Sequence, residues 1–306
     1  MTSPDTISPT STTQLQSQVD YTKLALGAKL DAGLYIVATP IGNLRDITLR
    51  AIDILVAAEH ILAEDTRQTS KLLSHYNIKT SLSAYHDHNA AKRVPKLVES
   101  LKDGAVFALV SDAGTPLVSD PGYKLVKAAL DAGVNVVPIP GASAVLAALT
   151  LSGLPSDRFS FGGFLPPKSA ARMSKLETYQ GAAGTVIFFE TAPRLKASLL
   201  DIKTVLGDRS MALTRELTKR YEEARYGRIS EVLETIETDP PRGEIVLCIG
   251  PSPTQGRWAA EQVLTALPLA ISEQGVKRAS EMIAKQAGWA KRDVYQLALT
   301  LKNEQP

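Results

Sequence analysis

Five short stretches of this chain carry side chains able to do chemistry. They are Thr39-Pro40-Ile41-Gly42-Asn43, Glu64-Asp65-Thr66-Arg67, His86-Asp87-His88, Asp112-Ala113-Gly114-Thr115-Pro116 and Glu216-Leu217-Thr218-Lys219. Carboxylates near a histidine or lysine are the material of general acid–base catalysis. Asp65 and Arg67 come first among the catalytic candidates. They join a proton acceptor to a guanidinium that can clamp a phosphate bidentately, and they are expected to serve chemistry rather than the fold. His86, Glu216 and Lys219 are the remaining candidates. Each has a plainer alternative. Glu64 and Asp65 could cap the next helix, His86 and His88 could be turn residues, and Glu216 could pair with Arg215 or Lys219 on the surface. No Cys or further His stands at ligand spacing, so no metal site is expected.

The Thr39–Asn43 turn has one Gly and no Lys. It is neither a Walker A loop nor a dinucleotide fingerprint, which points away from nucleoside triphosphates and NAD. The elements around it follow from periodicity. An apolar run from Leu34 ends in this turn and restarts as a helical pattern with Leu44, Ile47, Leu49, Ile52 and Leu55. Val106–Asp112 runs into Asp112–Gly122, and Val134–Pro140 into Gly141-Ala142-Ser143-Ala144. Three strands ending in Gly/Pro/Ser/Asp loops, each followed by a helix-compatible stretch, predict a ligand cleft at one edge of a sheet.

The spacing predicts an α/β protein. Strands near 34–39, 60–64, 81–86, 106–111 and 134–139 have connections long enough for helices, which implies a mostly parallel sheet covered on both faces. A second α/β unit, 152–250, has strands at 158–165, 185–190, 209–216, 221–228 and 243–250, with helices at 170–180, 193–206 and 230–237. Its short spacings imply a mixed sheet with antiparallel pairs. Residues 1–30 open on a Ser/Thr/Gln/Pro-rich run and are predicted to be disordered, so the first domain is placed at 31–151. Residues 251–256 read as a linker. Residues 258–306 form a small helical module, in which 276–287, Gly288-Trp289 and 291–301 read either as a helix-turn-helix or as a plain helical hairpin.

The chain has 306 residues, of which 44% are hydrophobic and 22% charged, the balance of a soluble globular protein. No apolar run approaches the roughly 20 residues of a membrane span, and no membrane partner is expected. There is no secretory pattern at the N-terminus, and the single cysteine, Cys248, fits a cytoplasmic protein without disulfides. It lies in the run Glu244–Gly250 and reads as a core strand residue. A net charge of +2 neither demands nor excludes nucleic acid.

Thr39-Pro-Ile-Gly-Asn43, Ala63-Glu-Asp-Thr-Arg67, His86-Asp-His-Asn89, Ser111-Asp-Ala-Gly-Thr-Pro116, Asp120-Pro-Gly122, Gly153-Leu-Pro-Ser-Asp-Arg158, Gly163-Phe-Leu-Pro166 and Arg215-Glu-Leu-Thr-Lys219 occur in register. In that order they resemble the tetrapyrrole (class III) methylase family, in its ribosomal RNA branch, from about Gly33 to the C-terminus. The resemblance implies a homodimer that binds S-adenosyl-L-methionine in a cleft between two α/β domains. It also implies methyl transfer to the ribose 2′-oxygen of a cytidine in the decoding region of 16S rRNA in the small ribosomal subunit. Carried over by position, the cofactor touches Pro40, Gly42, Asp112, Ala113, Gly114, Thr115, Pro116, Ser143 and Ala144, with backbone near Leu213 against the adenosine.

Tetrapyrrole-modifying relatives carry Gly-x-Gly-Pro-Gly-Asp after the first strand and Gly-Asp-Pro after the fourth. This chain has neither, which favours RNA. Arg45, Arg67, Lys168, Arg172, Lys175, Arg194, Lys219 and Arg220 are the expected phosphate contacts. A small tetrapyrrole substrate and a non-catalytic ribosome-binding role are the alternatives.

Overall fold

A computed structural model describes residues 29–252 and 258–303. Nearly all of the predicted N-terminal extension and most of the predicted linker lie outside these residues. The chain forms two compact units. One runs to Ala148 and also includes Glu216–Glu223; the other comprises Leu149–Arg215 and the chain from Ala224 onward.

In the first unit strands and helices alternate: β1 (Gly33–Val37), α1 (Leu49–Ala57), β2 (His60–Ala63), α2 (Thr66–His75), β3 (Ser81–Ala84), α3 (Asp87–Lys102), β4 (Val106–Val110), α4 (Tyr123–Asp131), β5 (Val136–Ile139) and α5 (Ala144–Leu151). The strands lie in the order β3-β2-β4-β1-β5, and the pairs β1–β4, β1–β5, β2–β3 and β2–β4 are parallel. Alternate residues of each strand face opposite sides of the sheet. Tyr35, Val37, Ile61, Ala63, Val106 and Ala108 pack against Ile52, Leu55, Leu72 and Leu73 of α1 and α2. Leu34, Leu62, Phe107 and Leu109 pack against Leu97, Leu101, Leu125 and Ala129 of α3 and α4. Covering both faces is what near-continuous apolar strands require, and β4 is buried along its whole length.

This topology fixes where a ligand can go. β1 and β4 are neighbours, yet the chain leaves β1 for a helix on one face and leaves β4 for a helix on the other. Their carboxyl ends therefore mark the point at which strand order reverses, the usual place for a crevice in an open α/β sheet.

In the second unit β6 (Phe159–Phe164), α6 (Ser169–Glu177), β7 (Thr185–Thr191), α7 (Leu195–Leu206), β8 (Ser210–Arg215), β9 (Glu223–Arg228), α8 (Ile229–Thr238) and β10 (Glu244–Ile249) follow in order. The sheet order is β6-β7-β10-β8-β9, with β10 antiparallel to β7 and β8, and β6 parallel to β7. The mixed character expected from the short connections is present. Cys248 is fully buried in β10, and burial pushes its thiol up to about 12, so it is a core residue and no nucleophile.

The chain ends in α9 (Ala260–Ala287) and α10 (Lys291–Asn303). Gly275 (φ 76°, ψ 160°) breaks α9 just before Val276, and Gly288 (φ 65°, ψ 27°) ends it in the left-handed region. Val263, Leu267, Ile283, Ala287, Val294 and Ala298 form a core local to these helices. The indole of Trp289 donates to the carbonyl of Trp258 at 2.7 Å, closing the module on itself. No helix among the described residues is long and apolar enough to cross a membrane.

Candidate active site

The three loops predicted to share one sheet edge are locked to each other. Thr39 and Gly114 form an isolated antiparallel bridge, each N–H donating to the other's carbonyl at 2.9 Å, so the loops after β1 and β4 are zipped at the switch point. The Thr115 hydroxyl donates to the carbonyl of Ala142 at 3.1 Å, tying in the loop after β5. Gly114 has φ 78°, and a Cβ there would meet Ile41 Cγ2 at 3.3 Å; a Cβ on Gly141 would meet that of Ala38 at 3.0 Å. Glycine is required at Gly114 by conformation and at Gly141 by closeness. Ser143, whose carbonyl accepts from Ala147 N at 2.9 Å, leads into Ala144 at the start of α5.

A pocket of roughly 240 Å³ opens beside these loops. Pro40, Gly42, Asp112 and Ala113 line it, and α2 supplies Thr69 and Leu72. Thr69 is 4% exposed, and its hydroxyl has no hydrogen-bond partner. A buried hydroxyl without a partner costs free energy. One in a pocket wall is a group a ligand can satisfy. Sequence reasoning missed Thr69, because nothing in Thr66–His75 distinguishes it from an ordinary helical threonine. Leu213 lies in the second unit, buried in β8 and paired with Leu247 of β10.

Asp65 caps α2, its carboxylate accepting from Arg67 N at 2.8 Å. The Arg67 guanidinium grips the same carboxylate through Nη2 at 2.6 Å and Nε at 3.0 and 3.2 Å. The arginine's hydrogen bonds hold the Asp65 carboxyl down at about 2. Asp65 thus serves the fold as a helix cap, which is the plainer of the two sequence readings and corrects the expectation that it stands apart from the fold. An anion so firmly stabilised is a weak base. The backbone N–H of Asp65 in turn donates to Asp112 Oδ1 at 2.8 Å, coupling the end of β2 to the loop after β4.

Two carboxyls at this edge are perturbed the other way. Burial, opposed by a hydrogen bond from Ser111 and reinforced by the charge of Asp112, pushes Asp120 up to about 6. Glu64 is raised by burial and by the nearby Asp120 and Asp112. Asp120 follows two non-glycine residues in the left-handed region, Leu117 (φ 74°) and Ser119 (φ 68°). The Asp120-Pro-Gly motif was visible in the sequence, but nothing there marks the aspartate as half-buried.

Glu216 and Lys219, in the segment joining β8 to β9, pair with each other at 3.1 Å. That segment belongs to the first unit, where Thr218 Oγ1 accepts from Asn43 N at 3.0 Å. Room at Gly42 is taken by this segment: a Cβ there would lie 2.8 Å from Thr218 Oγ1 and 2.9 Å from the Leu217 carbonyl. His86 follows the outermost strand β3, with β2 and β4 between that strand and β1. It precedes α3, its N–H donating to Asn89 Oδ1 at 3.1 Å, and its ring Nδ1 is buried without a partner. The structure therefore gathers the candidates on β1, β2, β4 and β5 but leaves His86 at the far strand.

Three of the expected phosphate contacts are committed elsewhere. Arg172 is buried in an ion pair with Asp201 at 2.6 Å. Lys175 donates to the carbonyls of Gly162 and Phe164, and Arg194 to that of Leu165 while pairing with buried Glu190. Each is held by carbonyls or acids a few residues to a few dozen residues away, partners that charge counting cannot see. Arg67 remains 87% exposed despite its ion pair. Among the described residues no group of His, Cys, Asp and Glu is placed to hold a metal ion.

The sequence profile of the tetrapyrrole (corrin/porphyrin) methylases matches residues 33–233. A Mesorhizobium japonicum protein named ribosomal RNA small subunit methyltransferase I is 49% identical over 276 residues, covering 90% of this chain and 94% of its own. A Haemophilus influenzae protein of the same name is 46% identical over 271 residues, covering 87% and 96%. Among solved structures, a diphthine synthase superposes with a TM-score of 0.56 at 15% identity, covering 71% of this chain and 89% of its own. A Thermus thermophilus uroporphyrin-III C-methyltransferase complexed with S-adenyl homocysteine gives 0.50 at 19%, covering 71% and 97%. At those identities the likeness is one of fold. With the profile matched over residues 33–233 and relatives nearly half identical over almost the whole chain, this protein belongs to the tetrapyrrole methylase family.

Proposed function

We propose that this protein transfers a methyl group from S-adenosyl-L-methionine to the 2′-oxygen of a cytidine ribose in the 16S rRNA of the small ribosomal subunit, in the cytoplasm. The observation that carries the reading is the Thr39–Gly114 bridge at the switch point, beside a pocket whose wall holds an unsatisfied threonine hydroxyl. The name shared by the relatives supplies the rRNA substrate, and the fold neighbour complexed with S-adenyl homocysteine supports the cofactor.

The residues present fit such a cofactor. Gly114 and Gly141 keep the loop backbone bare, Asp112 is an exposed acceptor, and Thr69 offers its hydroxyl. At roughly 240 Å³ the pocket is below the ~300–1,000 Å³ typical of drug-sized ligands, so it holds one part of the cofactor rather than all of it. When bound, the cofactor supplies an electrophilic methyl on a sulfonium. The protein's task is to align the ribose oxygen with that methyl, where proximity and orientation provide most of the rate. Arg67, braced by Asp65, would hold a neighbouring phosphate. The 2′-hydroxyl proton needs an acceptor, and Asp120, held near 6, is better matched to neutral pH than the firmly ionised Asp65.

The test is calorimetric titration with S-adenosyl-L-methionine, followed by transfer of labelled methyl to small subunits from a strain lacking this gene. Binding, with label mapped to a ribose 2′-oxygen, is the expected result. Absence of binding, or label on a base, would refute it.

A further inference from the structure

The segment between β8 and β9 carries Tyr221, which is 63% exposed. A single exposed tyrosine is ordinary on a protein surface. Three observations set this one apart.

The segment is held in one shape. Glu216 (φ 48°) and Thr218 (φ 65°) are both in the left-handed region, which non-glycine residues keep only when their surroundings impose it. Thr218 N donates to Glu222 Oε2 at 2.5 Å, Glu222 N to the Lys219 carbonyl at 3.1 Å, and Lys219 N to the Glu216 carbonyl at 2.9 Å. The ring has a cation against one face. The guanidinium carbon of Arg220 stands over it, 5.7 Å from its centroid, within cation–π range. Finally, the segment packs on the first loop: Thr218 accepts from Asn43, and Leu217–Lys219 closes around Gly42.

A rigid loop beside the candidate site thus presents an aromatic ring backed by a cation. We propose that Arg220 and Tyr221 form a stacking platform for an unpaired RNA base flanking the methylated nucleotide. This rests on the rRNA reading above. Proteins that engage unpaired RNA stack its bases on aromatic rings and guanidinium planes, and such stacking tolerates any base. With Arg220 over one face and most of the residue exposed, the other face is left for a planar ligand. Arg220 also brings positive charge to the phosphates on either side.

The experiment compares Tyr221→Ala, Tyr221→Phe and the unaltered full chain. Small-subunit affinity is measured by filter binding at several salt concentrations, cofactor affinity by calorimetry, and melting temperature by scanning calorimetry. Loss of one base stack by alanine substitution corresponds to about 5- to 150-fold in affinity. Tyr221→Ala should weaken subunit binding within that range, at an unchanged salt slope, because stacking releases no counterions. Tyr221→Phe should bind within about twofold of the parent, since the ring and not the hydroxyl is used. Cofactor affinity and melting temperature should stay put. Parent-like binding by Tyr221→Ala, an equal loss in Tyr221→Phe, or a parallel loss of cofactor affinity would overturn the platform. A parent protein that binds cofactor yet neither binds nor methylates small subunits would bring down the rRNA reading, and the platform with it.

Discussion

Gly42 and Lys219, 177 positions apart in the chain, are packed so closely that a Cβ on the glycine would collide with Cγ of the lysine. The first loop and the β8–β9 segment therefore behave as one piece. Gly42→Val should push Leu217–Lys219 away and break the Asn43–Thr218 hydrogen bond. The expected outcome is a loss of rRNA methylation of at least about tenfold, the scale of about 1–3 kcal/mol for forcing a packed site apart. Initial rates with small subunits check it.

Gly114→Val tests the cradle instead. At φ 78° a β-branched residue is strained by about 1–3 kcal/mol, and relief would come by opening the Thr39 bridge. Cofactor affinity should fall about tenfold or more by calorimetry. Gly104→Val is the control. Its φ is 102° but nothing lies within 4 Å, and it precedes β4 at the opposite end of the strand. It should lower the melting temperature while leaving cofactor affinity intact.

Asp65 combines a helix cap with an arginine brace, and two substitutions separate them. Asparagine caps as well as aspartate, whereas alanine loses about 1 kcal/mol. Asp65→Asn should therefore melt close to the parent and Asp65→Ala several degrees lower. Both should methylate poorly, because Arg67 loses its ionic partner. Full activity in Asp65→Asn would confine this residue to the fold.

Asp120 gives a pH signature. Its folded value is about 6, above the ordinary carboxylate value of 3.8. The folded state thus holds the proton more tightly, so this group's contribution is complete below about pH 4 and lost as pH rises through 6. Asp120→Asn, which cannot ionise, should gain melting temperature relative to the parent between pH 4 and pH 7. A difference that stays flat across that window would show that Asp120 ionises normally. Measuring the difference removes the opposing slopes of Asp65 and Asp208, whose values are lowered.

The C-terminal module has a core of its own. Deleting residues 258–306 should leave cofactor binding intact, weaken small-subunit binding and flatten its salt slope. A lower melting temperature with an unchanged slope would make the module a structural buttress. Sedimentation of the full chain at twice 32.8 kDa is the outcome expected for a dimer.

What could be read in advance was whatever is local. Strand-compatible runs and their spacing placed the strands described, and the loops at 39–43, 112–116 and 141–144 fell on one edge because parallel strands put their carboxyl ends together. What could not be read depends on partners distant in sequence. Arg172 looks like any surface arginine until Asp201 closes on it in the interior. Thr69 and Asp120 acquire their character from burial, which no spacing encodes. The membership of 216–223 in the first unit follows from its packing on Gly42, and a linear reading assigns it to the strands at either side.

That membership also governs how the molecule can be cut. The backbone leaves the first unit after Ala148, returns for Glu216–Glu223 and leaves again. A fragment ending near residue 151 would keep all five strands of the parallel sheet, yet it would lack the stretch that fills the space at Gly42. Its first loop would lose the Thr218 anchor and show a face evolved to be covered. Transplanting this half into another protein would require grafting a distant octapeptide along with it, and limited proteolysis within 216–223 should disable the first loop without severing any strand that supports it.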